Sequence, residues 1–364
     1  RLDYNDHIAF CMQATFLKNI HSHQATLAIL GALLGALVFA SLGIGAVQIS
    51  PAASIRIFVG ALGFDFPTDA TQEMVLLNIR LPRVLLTLLV GMALGLSGAA
   101  LQGLFRNPLV EPGIIGVSSG SAVGAIAVIL LLGTFAPGLA EAMGNWLLPL
   151  FAFVGGLLAT LATLKLSRSE GKTPTTYLIL AGVAINAFAG ALIGLSIFYA
   201  DDTQLRAYTF WTLGDLSVGS WSLLQWITPP VVLACAGMLF MGKTLNALSL
   251  GESEAFHSGV PVERVKMLVI LCSALAVGTS VAFTGIIGFV GLVVPHIIRL
   301  GFNSDHHLLL PASAIGGAIL LMGADLFARM VVAPAELPIG VVTSVIGAPF
   351  FVYLLISTKK KQLL

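Results

Sequence analysis

An all-α polytopic membrane protein, with about ten transmembrane helices and both termini cytoplasmic, is the fold this sequence predicts. Composition is the first ground: 57% of the 364 residues are hydrophobic, only 10% are charged, and mean hydropathy is +0.98. A soluble domain carries about 25% charged residues, so the natural solvent of this chain is lipid. The second ground is that the apolar residues fall into runs of about 20, the length that crosses a bilayer as a helix. The third is that Lys and Arg gather on alternate loops. A net charge of +1 offers no case for nucleic-acid binding.

Taken in order, the runs predict spans over residues 26–47, 84–105, 114–133, 146–166, 177–199, 223–242, 265–283, 286–301, 308–332 and 338–357. Only the glycine-rich "FTGIIGFVG" divides the seventh from the eighth. An even count puts both ends on one side. With that side cytoplasmic, every Lys and Arg except Arg56, Arg80, Arg83, Arg206 and Arg329 falls on the inner face, as the positive-inside rule demands. Residues 1–25 then form a cytoplasmic tail without the apolar stretch of a signal peptide, 26–358 the transmembrane domain, and 359–364 a basic cytoplasmic tail. "GALLG" (Gly31, Gly35), "GMALG" (Gly91, Gly95) and "GSAVG" (Gly120, Gly124) let helices approach closely. Cys11, Cys235 and Cys272 are odd in number and far apart, and read as small apolar fillers; no metal site is expected.

The stretch "GMLFMGKT", Gly237 to Thr244, matches a nucleotide-binding phosphate loop letter for letter. Such a loop needs free backbone N–H groups between a strand and a helix. Here the variable positions are Met238, Leu239, Phe240 and Met241, which continue an apolar run. Their N–H groups are expected inside a membrane helix, with Lys243 as the basic residue at its end. A second "GKT", Gly171 to Thr173, has Leu166 where the leading glycine belongs. Neither is read as a nucleotide site.

Beyond it, "SLGESEAFHSGVPVERVKM" is the longest polar interruption between spans, and the loop over about 249–262 is its centre. Ser249 with Glu252 reads as a capping box, Gly259 as a helix stop, and Pro261 as the first turn of the next helix. This predicts a short surface helix; an ordinary loop is the alternative, and a knob for a cytoplasmic partner the functional one. Ionisable groups in spans need partners. "ADLFARM" puts Asp325 and Arg329 one turn apart on one face, so they can pair. Pro82 in "RLPR" limits helix before it and sets the entry of Arg80 and Arg83 into the membrane. Outer arginines serve either as headgroup anchors or as receivers of acidic residues from an extracytoplasmic partner, and physics alone favours anchors. "LFRNPLVEPGIIGVSSG" turns the chain back into the membrane, with Glu111 near a helix start. His296 reads as a packed residue rather than a ligand.

The motifs "RLPRVLLTLLVGMALGLSGAALQGLFRNPLVEPGIIGVSSG", "LAGVAIN", "GIIGFVGLVVPHIIRL", "LLLPASAIGGA", "ADLFARM" and "ELPIGVVTSVIGAPFF" stand in this order. They resemble the permease subunits of bacterial ABC importers for haem, iron-siderophores and vitamin B12, the FecCD-type family. The resemblance runs from about residue 30 to the C-terminus. It implies ten transmembrane helices in the inner membrane, a homodimer with its path on the two-fold axis, two separate cytoplasmic ATPase subunits, and a periplasmic substrate-binding protein. It implies that this chain is no enzyme and binds no cofactor, ATP and Mg belonging to the partner ATPase. By motif, Arg80, Arg83 and Arg329 correspond to arginines that receive glutamates of the binding protein, which reverses the physics-only preference. The segment "GESEAFHSG", with Gly251, Glu252, Ala255, Phe256 and Gly259, resembles the coupling helix that docks on the ATPase. Thr175 and Thr176 match the inner gate, with Pro174 an unusual neighbour, and Asn186 is the main polar group of a fifth span lining the path.

The cargo is not separated by these motifs; the overall likeness leans to haem, with ferric siderophore and cobalamin as alternatives. His7, His21 and His23 could receive haem iron, but a flexible tail is the plainer expectation. A proton-coupled secondary transporter is the rival from another class and needs buried acids at mid-span. Glu111 and Asp325 lie toward the edges instead. An intramembrane enzyme needs a nucleophile with a base, or paired acids at depth, and no such set is visible.

Overall fold

The computed structural model describes the backbone of residues 4–45, 47–64, 66–132, 138, 142–333 and 335–362. Side chains are described within these from 23 to 353, apart from 131–132, and at 356. The chain is 82% helical. Among the described residues there is no strand, only an isolated bridge between Ser169 and Lys172 that closes a turn. Seven helices among the described residues are long and apolar enough to cross a membrane, and the chain is a multi-pass all-α membrane protein.

The order is α1 Tyr4–Gly43, α2 Pro51–Ala61, α3 Ala70–Phe105, α4 Val117–Ala127, α5 Leu147–Ser167, α6 Thr175–Tyr199, α7 Asp202–Leu213, α8 Trp221–Leu239, α9 Gly242–Leu250, α10 Glu252–His257, α11 Val262–Thr284, α12 Val290–Gly301, α13 His306–Val331 and α14 Ile339–Gln362. Two expected spans, the third and eighth, correspond to the shorter apolar helices α4 and α12, and the tenth falls on α14. The first two are short because the chain enters them through irregular backbone, residues 106–116 and 285–289. The N-terminal segment expected as a tail continues α1, which is helical from Tyr4; the side chains of His7, Cys11 and His21 lie outside the described residues. The side chains of the basic tail 359–364 also lie outside them.

Two helices outside the expected spans start on local caps. Ser50 accepts from the Ala53 amide with Pro51 in the first turn of α2, and Asp201 with Gln204 forms a complete capping box on α7. The expectation that Pro82 stops helix before it is corrected. A wide π turn over Val75–Arg80 carries the helix through, and the Leu81 amide bonds back to the Leu76 carbonyl. A widened turn gives the proline ring room and removes the need for its missing N–H.

The long helix α3 is the axis of the fold. In its apolar window 78% of residues are buried inside the chain, against 22% for α6. It packs most extensively on α13, and also on α11, α12 and α8. The contact is backbone against backbone: a Cβ built on Gly98 would stand 1.9 Å from the Gly291 carbonyl oxygen, and one on Gly95 2.2 Å from that of Ser313. Gly91 faces Gly317 in the same seam. Gly120 and Gly124 on α4 meet Gly155 and Phe151 on α5 in the same way. Gly31 and Gly35 on α1 face open space.

A direct consequence concerns stability. Gly98→Leu should lower the unfolding midpoint in detergent, an overpacking cost of about 1–3 kcal/mol or more because backbone must move. Gly31→Leu should leave the midpoint unchanged. A thermal melt of both variants checks the contrast, and equal midpoints would refute the seam.

Candidate functional site

The sequence-predicted residues fall into three places along the bundle. At one end, where α3 enters and α13 leaves, the arginines converge. Arg83 forks onto two acids: its Nη2 lies 2.8 Å from Asp325 Oδ1 and 2.8 Å from Glu336 Oε2, and its Nε donates to Asp325 at 3.1 Å. Arg329 closes the other side of Asp325, Nε to Oδ2 3.2 Å, and donates from Nη2 to Ser41 at 2.5 Å. Asp325 is 1% exposed, so one buried carboxylate is shared between two guanidinium groups. Only such pairing makes a charge tolerable in this environment.

Arg80 does something else. It donates to the Leu42 and Gly43 carbonyls at 2.7 and 2.9 Å, and also to the Val47 carbonyl. These acceptors are the open end of α1 and the turn after it, so Arg80 is a side-chain cap. The sequence placed Arg80, Arg83 and Arg329 as outward cations. All three are in fact held by groups of this chain, and Arg80 and Arg83 are buried. A cavity of about 340 Å³ opens beside Arg83, Asp215, Ser217, Asp325 and the exposed Glu336.

Toward the other end of α3, the two irregular segments meet. The Glu111 carboxylate accepts from the Phe289 amide at 3.0 Å, at the start of α12. It therefore caps a helix remote in sequence rather than the one that follows it. Burial pushes the Glu111 carboxyl above its ordinary range, and the Phe289 amide offsets part of that. Gln102, on α3, ties the first segment to α12: its Nε2 donates to Val110 at 3.2 Å and Gly291 at 3.1 Å, and its Oε1 accepts from Arg299. Sequence reasoning missed Gln102, although a lone amide in an apolar glycine-rich helix was the available signal. His296 packs edge-on against Phe350, centroids 6.1 Å apart.

Asn186, expected as the main polar group of its span, is engaged on both sides of its amide. Its Nδ2 donates to Gly113 at 3.2 Å, and its Oδ1 accepts from Ser119 at 2.5 Å, so it fastens α6 to α4. The exposed face of α6 is apolar instead, with Leu180, Val183, Phe188 and Leu195. Thr175 opens the first turn of α6, with Pro174 as its N-cap, and Thr176 is exposed.

At the far end lies α10, about 27 Å along α11 from the arginines by helix rise. Gly251 has φ +143° and Gly259 φ +83°, conformations that favour glycine and set the helix off from its neighbours. Ala255 is fully buried under it, while Phe256 is 69% exposed. The expected Ser249–Glu252 capping box does not form. Gly251 is the N-cap, Ser249 donates to the Asn246 carbonyl, and the Glu252 carboxylate is taken by Lys266 at 2.6 Å. A charged donor outcompetes a backbone amide for it.

The false phosphate loop has no cradle. The Phe240 and Met241 amides are bonded to the Ala236 and Met238 carbonyls, and α9 restarts at Gly242. Among the described residues no cluster of His, Cys, Asp or Glu could hold a metal ion. Cys235 and Cys272 are free thiols.

The molecule is a multi-pass bundle with a glycine-set short helix at one end and an apolar helix face along its length. The chain belongs to the FecCD transport family, which matches residues 33–357. It is 42% identical over 311 residues to the hemin transport system permease protein HmuU of Yersinia pestis, covering 84% of this chain and 91% of that one. It is 42% identical over 292 residues to the vitamin B12 import system permease protein BtuC of Salmonella typhi, covering 80% and 86%. Among solved structures, an inward-facing metal-chelate-type ABC transporter superposes with a TM-score of 0.76 at 34% identity, over 91% of this chain and 98% of that one. The chain is thus an ABC importer permease, a transport component whose ATPase is a separate subunit.

The ion cluster yields a stability test. Asp325→Ala strands two guanidinium groups and should cost about 3–5 kcal/mol. Asp201→Ala, which removes only the exposed cap of α7, should cost about 1 kcal/mol. Denaturant unfolding of both in detergent checks the ranking; equal losses would refute the shared-carboxylate reading.

Proposed function

We propose that this permease imports haem across the bacterial inner membrane by alternating access, as a homodimer with two ATPase subunits and a periplasmic binding protein. The observation that carries the reading is the pairing of a short rigid helix at one end, α10, with a long apolar face on α6. A bulky flat cargo needs a wall without strong ligands, which the α6 face offers. Identity does not separate haem from cobalamin; haem is favoured by the longer match to the hemin permease. Ferric siderophore and cobalamin are the other cargoes of the same reading.

In this scheme Phe256 is the aromatic that α10 offers to the ATPase, Ala255 seats the helix on the bundle, and Gly251 and Gly259 free its ends. Thr175 and Thr176 stand at the inner mouth of the path. Arg80, Arg83 and Arg329 form the outer docking region. Arg83 is the arginine that an incoming carboxylate meets, by taking the place of the exposed Glu336. Arg80 and Arg329 support it from behind. The chain binds no cofactor; ATP and Mg sit on the partner subunits, and their closure selects one arrangement of the helices. The acids that a proton-coupled transporter would use are committed, Asp325 to two arginines and Glu111 to the Phe289 amide.

Two outcomes are expected. In liposomes holding the complete complex, ATP should drive haem uptake without a proton gradient, and the binding protein should prefer haem to cobalamin and ferric siderophores in a ligand titration. Uptake on a proton gradient alone would overturn the class, and preference for another ligand would overturn the cargo. Phe256→Ala should lower transport-coupled hydrolysis about tenfold, the loss of a buried aromatic anchor, while cargo capture by the binding protein stays intact. Hydrolysis at the normal rate would remove Phe256 from the interface.

A further inference from the structure

Lys266 is unused by the reading above. It lies on α11, just inside the N-terminal end of the helix, and is 2% exposed. Its ammonium meets three acceptors: Glu252 Oε2 at 2.6 Å, the Thr173 carbonyl at 2.8 Å, and Glu263 Oε1 at 3.4 Å. The three come from three different segments: α10, the loop before α6, and the first turn of α11 itself. An ammonium has three donors on a compact centre, which suits acceptors arriving from different directions better than a planar guanidinium would.

The connection to α6 is short. Thr173 is buried, and the Glu263 carboxylate lies against its backbone amide and hydroxyl. The turn closed by Ser169 and Lys172 holds the chain just ahead of it. Pro174 follows, with φ −59° fixed by its ring, and Thr175 is already helical. The Leu178 amide bonds back to the Pro174 carbonyl at 3.1 Å, so the join between Thr173 and α6 has little slack. A displacement of Glu252 therefore reaches the first turn of α6 through two contacts of 2.6 and 2.8 Å.

The opposite face of α10 is different. Phe256 and Ser253 are exposed, while the bundle-side contact of Ala255 is apolar and free to slide. Lys266 is the directional link in this region, because charge-assisted hydrogen bonds fix an angle as well as a distance. We infer that Lys266 is a coupling strut: it joins α10 to the mouth of the path, so that movement imposed on α10 moves the start of α6. It is a positioning residue and touches neither nucleotide nor cargo. The inference rests on the importer reading given above.

The test uses the complete complex of permease, ATPase and binding protein in liposomes, with uptake and ATP hydrolysis measured on the same preparation. Lys266→Met keeps the length of the side chain and removes the charge. Glu252→Gln weakens the same link from its half-buried end and guards against a folding failure of the first variant. In each, cargo moved per ATP hydrolysed should fall about tenfold, the size of a typical coupling between sites. The double variant should fall no further than either single one, since both break one link. Unchanged cargo per ATP in Glu252→Gln, or uptake and hydrolysis falling in proportion, would overturn the strut. A wild-type complex without ATP-driven uptake would instead overturn the importer reading itself, and the strut with it.

Discussion

Close approach of backbone to backbone along α3 is the constraint on which the remaining structure depends. In lipid there is no hydrophobic force drawing helices together, because the tails are as apolar as the side chains. Association must come from contact, and contact is densest where side chains are missing. Gly91, Gly95 and Gly98 make α3 such a surface, against Gly317, Ser313 and Gly291. Once α13 and α12 are seated there, Gln102 lies within reach of Val110 and Gly291, and Arg83 within reach of Asp325 and Glu336. The polar chemistry is thus a consequence of the apolar seam.

The same solvent explains why so little charge is left free. Asp325 is divided between two arginines, Arg80 is used on helix-end carbonyls, Glu111 on a remote amide, and Lys266 on three oxygens. Each is a group that would be intolerable alone at that depth. The residues at the two ends therefore have a structural function before they have a transport function. A charge engaged on both sides also behaves as a link: if one partner moves, the other is pulled. This is how a bundle without a catalytic site can respond to work done on it from outside.

Much of the architecture was legible. Apolar runs located the seven long helices, and the ordered motifs located α10, its two glycines and the family. The pairing of Asp325 with Arg329 followed from one helical turn of spacing. Other features were hidden for identifiable reasons. The π turn before Pro82 could not be read, because a proline signals a break without saying how the chain absorbs it. The Ser249–Glu252 box was a sound local motif that lost to Lys266, fourteen residues away from Glu252 and invisible to short-range patterns. The partners of Asn186, Gly113 and Ser119, were hidden too, because nothing nearby in sequence reveals them.

What the sequence determined by itself is therefore the solvent, the helices and the family, since these depend on composition, on runs of one chemical kind and on residues close together. The tertiary structure alone decided which charges are free and which are consumed, and which of three glycine pairs faces another helix: Gly91–Gly95 and Gly120–Gly124 do, while Gly31–Gly35 faces open space. The reason is distance along the chain. Arg83 and Asp325 are separated by 242 residues, and Lys266 and Thr173 by 93, so no local rule connects them until the helices have packed.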